Sequence, residues 1–343
     1  MTLVSCELLT ALACPTCRGP VRPVAAEDAA LACTRCGARY PSRLGISILL
    51  RRDLFSAKEG SDPPTHKERQ IGFFDQDSVD DFGVTRPRGA PELYGWLLGE
   101  KFRRSIIGLE DLLPGSTALT ICGGSGLDAE YLARAGARVI ASDISIGVLL
   151  QARERATRFG LEISFVVADA EALPFHDRSV DVVYVHDGLH HLERPALALA
   201  EMARVARRAV SVSEPAEALV TAAAVRLGWA EKHEEAGNLV RRLTLDEIVS
   251  ELAARGFRPV APHRYGMYYR HWPGRVVGAL SQPVLLPLAK AGFGATNRIA
   301  GRYGNKLTVQ AVRVAGEELA PVPSRRARTR RRPGGRRAPA ARI

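Results

Sequence analysis

The sequence predicts an α/β protein: a doubly wound, mostly parallel sheet of seven strands, preceded by a small cysteine-bound module. Three observations lead there. Apolar runs alternate with helical periodicity from residue 118 onward, an order that builds parallel sheets with helices on both faces. The run Ala118-Leu119-Thr120-Ile121-Cys122-Gly123-Gly124-Ser125-Gly126 enters a helical pattern and then Val139-Ile140-Ala141-Ser142-Asp143. Strand, glycine turn, helix, strand and terminal carboxylate are the parts of a nucleoside-binding half-fold. Four of the six cysteines stand ahead of all this as two CxxC pairs.

The cysteine module comes first, over residues 8–50. Cys14-Pro15-Thr16-Cys17 and Cys33-Thr34-Arg35-Cys36 are separated by fifteen residues, a spacing that closes a tetrahedral thiolate site around one Zn²⁺. Gly19 and Gly37 follow the knuckles and permit tight turns. Val21–Val24 and Ala30–Ala32 read as the strands between them. Four thiolates leave no open coordination position, so the zinc is expected to be structural. Cys6 and Cys122 fall outside the set and read as packing residues.

Residues 51–90 are polar and punctuated by Asp62-Pro63-Pro64 and Arg86-Pro87-Arg88-Gly89, which reads as a linker with some ordered contacts. The main domain is expected over 91–315. A helix is predicted over Pro91–Leu113. Strands follow at 118–122, 138–142, 163–168, 180–185 and 209–213, with helices near 128–135, 146–159 and 195–207. Thr244-Leu245-Asp246-Glu247 has the form of a capping box, opening a helix that Gly256 closes. Phe257–Tyr265 and Lys306–Val314 complete the seven strands. Between them an apolar, Gly/Pro-punctuated insertion near 266–304 reads chiefly as helical packing; a substrate cover and a membrane-leaning surface are the other readings.

The formal charge of +11 is concentrated at one end. Ser324–Ile343 holds nine arginines and no acid, and without them the charge falls to +2. Residues 316–343 are therefore expected to be a disordered Arg-rich tail, suited to RNA, ribosomes or anionic lipid; a solvated extension without catalytic consequence is the equal alternative. Met1–Ala13 lacks the pattern of a signal peptide, and no run is long and apolar enough for a membrane span. A cytoplasmic location is expected, where paired cysteines point to metal.

Five stretches, in order, resemble the class I S-adenosylmethionine-dependent methyltransferases, in particular the type 11 branch. They are Leu119–Gly126 (LTICGGSG), Ala141–Ser145 (ASDIS), Ala168–Phe175 (ADAEALPF), Ser179–Tyr184 (SVDVVY) and Leu189–Leu192 (LHHL). The cysteine module, through Cys33–Pro41 and Gly45–Leu50, is similar to the zinc-ribbon proteins that activate tRNA and protein methyltransferases. The first resemblance implies a Rossmann-like methyltransferase fold that binds S-adenosylmethionine. It implies that Cys122, Gly123, Gly124 and Gly126 line the methionine part and that Asp143, with Ile144 beside it, holds the ribose hydroxyls. Asp169 and the Ala170 amide would meet the adenine, and His186 would sit beside the sulfonium and the acceptor. Thr120 and Cys122 depart from the pattern, which places an acid and a glycine there. Asp128 is the candidate to compensate by meeting the methionine ammonium; pairing with the helix N-terminus is its other reading.

No Gly-Lys-Ser/Thr follows the glycine turn, which argues against a phosphate loop. Asp169-Ala170 and the LHHL segment favour a methyltransferase over a dehydrogenase. Methyl transfer needs positioning above all, and a base only where the acceptor carries a proton. Candidates at the strand ends are His186, His190, His191 and Glu214, with His190 preferred. A small-molecule acceptor, apolar to judge from 272–300, is the favoured substrate. Two other readings stay open: an rRNA or tRNA methyltransferase using the ribbon and basic tail, and an inactive methyltransferase-fold binding module. Among the RNA chemistries, exocyclic-amine and pyrimidine carbon-5 methylation lack their motifs: no Asn/Asp-Pro-Pro-aromatic loop follows Val185, and no cysteine lies beyond Cys122.

Overall fold

A computed structural model describes residues 6–24, 31–51, 65–76, 81–218, 242–268 and 271–314. The Arg-rich tail expected at 316–343 and part of the expected linker lie outside them. The ribbon contributes α1 (Cys6–Ala11), β1 (Val21–Pro23), β2 (Leu31–Cys33), β3 (Arg39–Tyr40), β4 (Ser42–Arg43) and β5 (Ile46–Leu49). Helices α2 (His66–Gln76), α3 (Asp81–Thr85) and α4 (Glu92–Ser105) follow. Next come β6 (Thr117–Thr120), α5 (Leu127–Arg134), β7 (Arg138–Asp143), α6 (Ile146–Arg158), β8 (Ile163–Ala168), β9 (Val180–His186), α7 (Pro195–Val205) and β10 (Ala206–Pro215). The chain ends through α8 (Leu245–Ala253), β11 (Phe257–Pro259), β12 (His263–Tyr265), α9 (Arg275–Leu280), α10 (Leu286–Ala300) and β13 (Lys306–Arg313).

The main sheet runs β11-β13-β10-β9-β6-β7-β8-β5-β4, with β12 also on β13. Pairing is parallel from β10 through β5, while β13 is antiparallel to β10. The seven expected strands are present in this sheet. Phe257–Tyr265, expected as one strand, is two: Val260 still donates its amide to Gln310, and the pairing is interrupted at Ala261 and Pro262. The ribbon is not set apart from the sheet: β5 pairs in parallel with β8, Ser47 opposite Val166 and Leu49 opposite Ala168.

Both faces of the sheet are covered, so most positions of its central strands are buried. Alternation sends Leu119, Ile140, Val183 and Val185 toward α7, α8 and the ribbon, whose Leu12, Tyr40 and Leu49 join the same core. Ala118, Val139, Ala141 and Val182 face α4, α5 and α6. The capping box forms as read: the Thr244 side chain accepts from the Glu247 amide, and Glu247 returns the bond to the Thr244 amide.

The expected linker is partly helical. α3 is pinned to the domain by Arg155 of α6, whose side chain is completely buried. Its guanidinium donates to the carbonyls of Gly83 (2.7 Å), Arg86 (2.8 Å) and Ser125 (3.1 Å) and to Glu130 (2.8 Å). Glu130 also takes Arg134 at 2.8 Å and Arg88. Burial alone would raise the Glu130 carboxyl, but the hydrogen bonds from Arg88, Arg134 and Arg155 outweigh it and hold it at about 2, against 4.5. A depressed carboxylate stabilises the fold above its unfolded value and loses that contribution as the pH falls toward the folded value. Glu130→Gln is therefore expected to cost about 3 kcal/mol at pH 7. The gap to the unsubstituted chain should shrink as the pH drops from 4.5 toward 2, a comparison that urea unfolding at pH 7 and pH 3 makes directly.

Candidate active site and zinc ribbon

The site lies where the chain reverses its direction of sheet building. β7 and β8 extend one way from β6, and β9 and β10 the other, which opens a crevice at the carboxyl ends of β6 and β9. Beyond β6 the backbone turns through Cys122 (φ 49°), Gly124 (φ 50°) and Gly126 (φ 81°). Gly124 has open space where a side chain would point, whereas a Cβ on Gly126 would stand 2.8 Å from that of Ala152 on α6. Cys122 holds a left-handed conformation that suits glycine better, at the position where the resemblance expects one. The Thr120 hydroxyl, where an acid is expected, is buried with no hydrogen-bond partner among the described residues.

A cavity of about 860 Å³, counting its open mouth, is lined by Cys122, Gly124, Asp143, Ile144, Asp169 and Ala170 together with α2. Asp143 ends β7, and Ser145 caps α6 two residues later by accepting from the Val148 amide. The Asp143 carboxylate accepts from the amides of Gly124 (3.0 Å) and Ser145 (3.1 Å). Its remaining lone pairs suit a diol. Burial pushes this carboxyl above its ordinary value. Asp169 accepts from the Glu171 amide at 2.9 Å, and Lys67 of α2 donates to Asp169 and, at 3.0 Å, pairs with Glu171.

The fit to adenosylmethionine follows from this donor set. The wall carries five carboxylates, Asp143, Asp169, Glu171, Asp187 and Glu193; Lys67 pairs with Asp169 and Glu171, Arg194 also with Glu171, and Lys306 and Lys101 with Asp187. Such carboxylates are acceptors that suit a diol and an aromatic amine.

Gly123, Gly126, Asp128, His186 and His190 are not in this cavity wall. Asp128 accepts from the Tyr184 hydroxyl at 3.3 Å, and that hydroxyl also meets His186 Nδ1 at 3.1 Å. The His186 side chain is fully buried, and burial, helped by Lys101, drives its pKa well below the usual histidine value. It stands as a neutral imidazole buried behind the turn, outside the cavity wall. His190 Nδ1 lies 2.7 Å from Glu214, which also accepts the amides of Gly188 and Leu189. His191 does line the cavity, its ring 4.1 Å from that of His190.

Lys67, Arg155 and Asp187 escaped the sequence reading. Arg155 had a signal, since it falls on the buried stripe of α6 with Val148 and Ala152. Asp187 (φ 52°) is clamped by Lys306 at 2.6 Å and Lys101 at 3.3 Å. Burial opposes its charge, yet these ammoniums hold its carboxyl well below the carboxylate range.

In the ribbon the sulfurs of Cys14, Cys17, Cys33 and Cys36 all lie within 4.8 Å of one another. Cys14–Cys36 is 3.7 Å and Cys17–Cys33 is 3.4 Å, close to the roughly 3.8 Å edge of a tetrahedral zinc thiolate. The Cys17, Arg35 and Cys36 amides point at the sulfurs of Cys14 and Cys33. A Cβ on Gly19 would run into Arg35 and two of the sulfurs. This donor set fits zinc.

Residues 119–211 match the family model described as a methyltransferase domain. This stretch has the sequence pattern of a methyltransferase domain. Over 107 residues the chain is 37% identical to the demethylmenaquinone methyltransferase of Renibacterium salmoninarum, covering 31% of this chain and 44% of that protein. Over 102 residues it is 41% identical to the ubiquinone/menaquinone biosynthesis C-methyltransferase UbiE of Bordetella avium, covering 29% and 40%. The chain thus spans less than half the length of these curated relatives. The crystal structure of the cyclase SpnF superposes with a TM-score of 0.50 at 18% identity, over 75% of this chain and 100% of that one. That likeness concerns the fold, which is shared by proteins of different chemistry.

Proposed function

We propose that this protein transfers the methyl group of S-adenosylmethionine to a small, largely apolar acceptor. The observation that carries it is the convergence of Asp143, Asp169 and the Cys122–Gly124 turn on one acid-lined cavity. The names of the relatives, quinone methyltransferases, favour a small-molecule acceptor over RNA. When bound, adenosylmethionine supplies a carbon already activated by its sulfonium. The glycine turn receives the amino-acid end, the Asp143 carboxylate takes the ribose hydroxyls, and Asp169 with the Ala170 amide takes the adenine edge. Lys67 neutralises Asp169 and Glu171 from α2, which closes over that end and excludes water. The cysteine cluster holds a structural Zn²⁺.

The general base, where the acceptor needs one, is His190. The Glu214 carboxylate accepts the Nδ1 proton, so Nε2 keeps the lone pair that takes a proton. His190→Phe is expected to lower kcat by about 10²- to 10⁴-fold while leaving cofactor affinity unchanged. The same loss in His191→Phe with His190→Phe unaffected would move the role to the neighbouring ring, which already faces the cavity.

Incubation of the zinc-loaded chain with methyl-labelled cofactor and extracted small molecules, read by mass spectrometry, tests the proposal. Label in an apolar product supports it. Cofactor binding without label in any product favours a binding module, the reading that Thr120 and Cys122 motivate.

A further inference from the structure

The insertion between β12 and β13 carries an apolar surface that the proposed chemistry does not use. Of thirteen large hydrophobic residues exposed in the described structure, eight fall between Tyr268 and Tyr303. Val284 is 80%, Ile299 79%, Val276 71% and Leu288 66% exposed. At about 100° per residue, Leu288, Gly292, Ala295 and Ile299 form one face of α10. The opposite face packs inward: Leu286 is buried, Phe293 meets Trp96 edge-on, Lys290 pairs with Glu92 at 3.3 Å, and Asn297 bonds Gly266. The helix thus turns an uncharged, apolar face to the outside.

Charge says what covers it. No Asp or Glu occurs from Tyr268 to Lys306, and Arg275, Arg298 and Arg302 are exposed around the apolar residues. Two copies meeting through this face would oppose arginine to arginine. An anionic bilayer offers hydrocarbon to the face and phosphate to its rim. The chain beyond Val314 adds the nine arginines after Ser324. No helix of the described residues is long and apolar enough to cross a membrane, so the contact is in the plane of the interface.

We propose that α9 and α10 dock the protein on an anionic lipid surface, Leu288 and Ile299 entering the headgroup boundary within a ring of arginines. The docking is independent of methyl transfer, and its test reads no activity.

The full-length, zinc-loaded chain is floated with phosphatidylcholine vesicles containing or lacking phosphatidylglycerol. The unsubstituted chain is expected to float with the anionic vesicles. The double substitution Leu288→Glu and Ile299→Glu should lower the bound fraction at least tenfold without changing thermal melting or adenosylmethionine affinity. Leu44→Glu, an exposed leucine at the β4–β5 turn on the far sheet edge, should change nothing. Leu288→Trp should be quenched by brominated lipid in those vesicles, a readout that survives poor folding of the double variant. Flotation of the double variant equal to that of the unsubstituted chain would overturn the proposal. So would an unquenched Leu288→Trp, or self-association without lipid that the double substitution abolishes while flotation persists.

Discussion

Replacing Cys33 by serine, or stripping the ribbon with a strong chelator, is expected to lower the melting temperature by about 10 °C or more. Zinc in such sites supplies about 10–16 kcal/mol of folding free energy, more than a ribbon of this size stores in its own small core. The consequence reaches beyond the ribbon because the two parts share a sheet. β5 supplies the edge neighbour of β8, and buried Ile46, Leu49 and Leu50 sit in the domain's two cores. The Ala13 amide donates to Pro174 at 2.8 Å, the His176 amide to Ala11 at 2.9 Å, and Leu12 bridges Phe175. These contacts buttress the segment that begins at Asp169 and Ala170. Cofactor affinity should therefore fall with the metal as well. Calorimetry beside metal analysis checks this, with one zinc per chain expected. A chain that purifies without zinc and melts identically with and without chelator would refute the metal site.

Asp143→Ala is expected to weaken adenosylmethionine binding at least about 100-fold, since two hydrogen bonds to a charged acceptor contribute about 1.5–3 kcal/mol each. The same substitution leaves the Gly124 and Ser145 amides without their acceptor, a loss partly offset by removal of a buried charge. The pH dependence follows from the raised carboxyl. Affinity needs the ionised form, so it should decline on acidification beginning above the ordinary aspartate value of 3.8. Asp143→Asn should remove that pH dependence while restoring only part of the affinity. Equilibrium titration of the three chains between pH 5 and pH 8 gives the comparison.

The legible parts of this molecule were those written in local order. The strand–turn–helix–acid unit placed Asp143 correctly at the end of β7, and the CxxC spacing brought four sulfurs together. Long-range pairings left no local trace. Nothing in the polar stretch 51–90 announces that α2 brings Lys67 to Asp169, because that helix presents few apolar residues and is held by ion pairs. The merging of β5 with β8 was hidden because a short alternating strand reads alike in a ribbon and at a sheet edge. Asp128 and His186 were placed at the cofactor by analogy of position. The Tyr184 hydroxyl between them draws both into a buried polar group behind the turn.

Isothermal titration of S-adenosylmethionine into the full-length, zinc-loaded chain bears most directly on the cavity. Saturable binding of one cofactor per chain is expected, with a dissociation constant in the range of about 1 μM to 1 mM usual for enzyme substrates. Absence of binding at millimolar cofactor, in protein shown to be folded and metal-loaded, would contradict it.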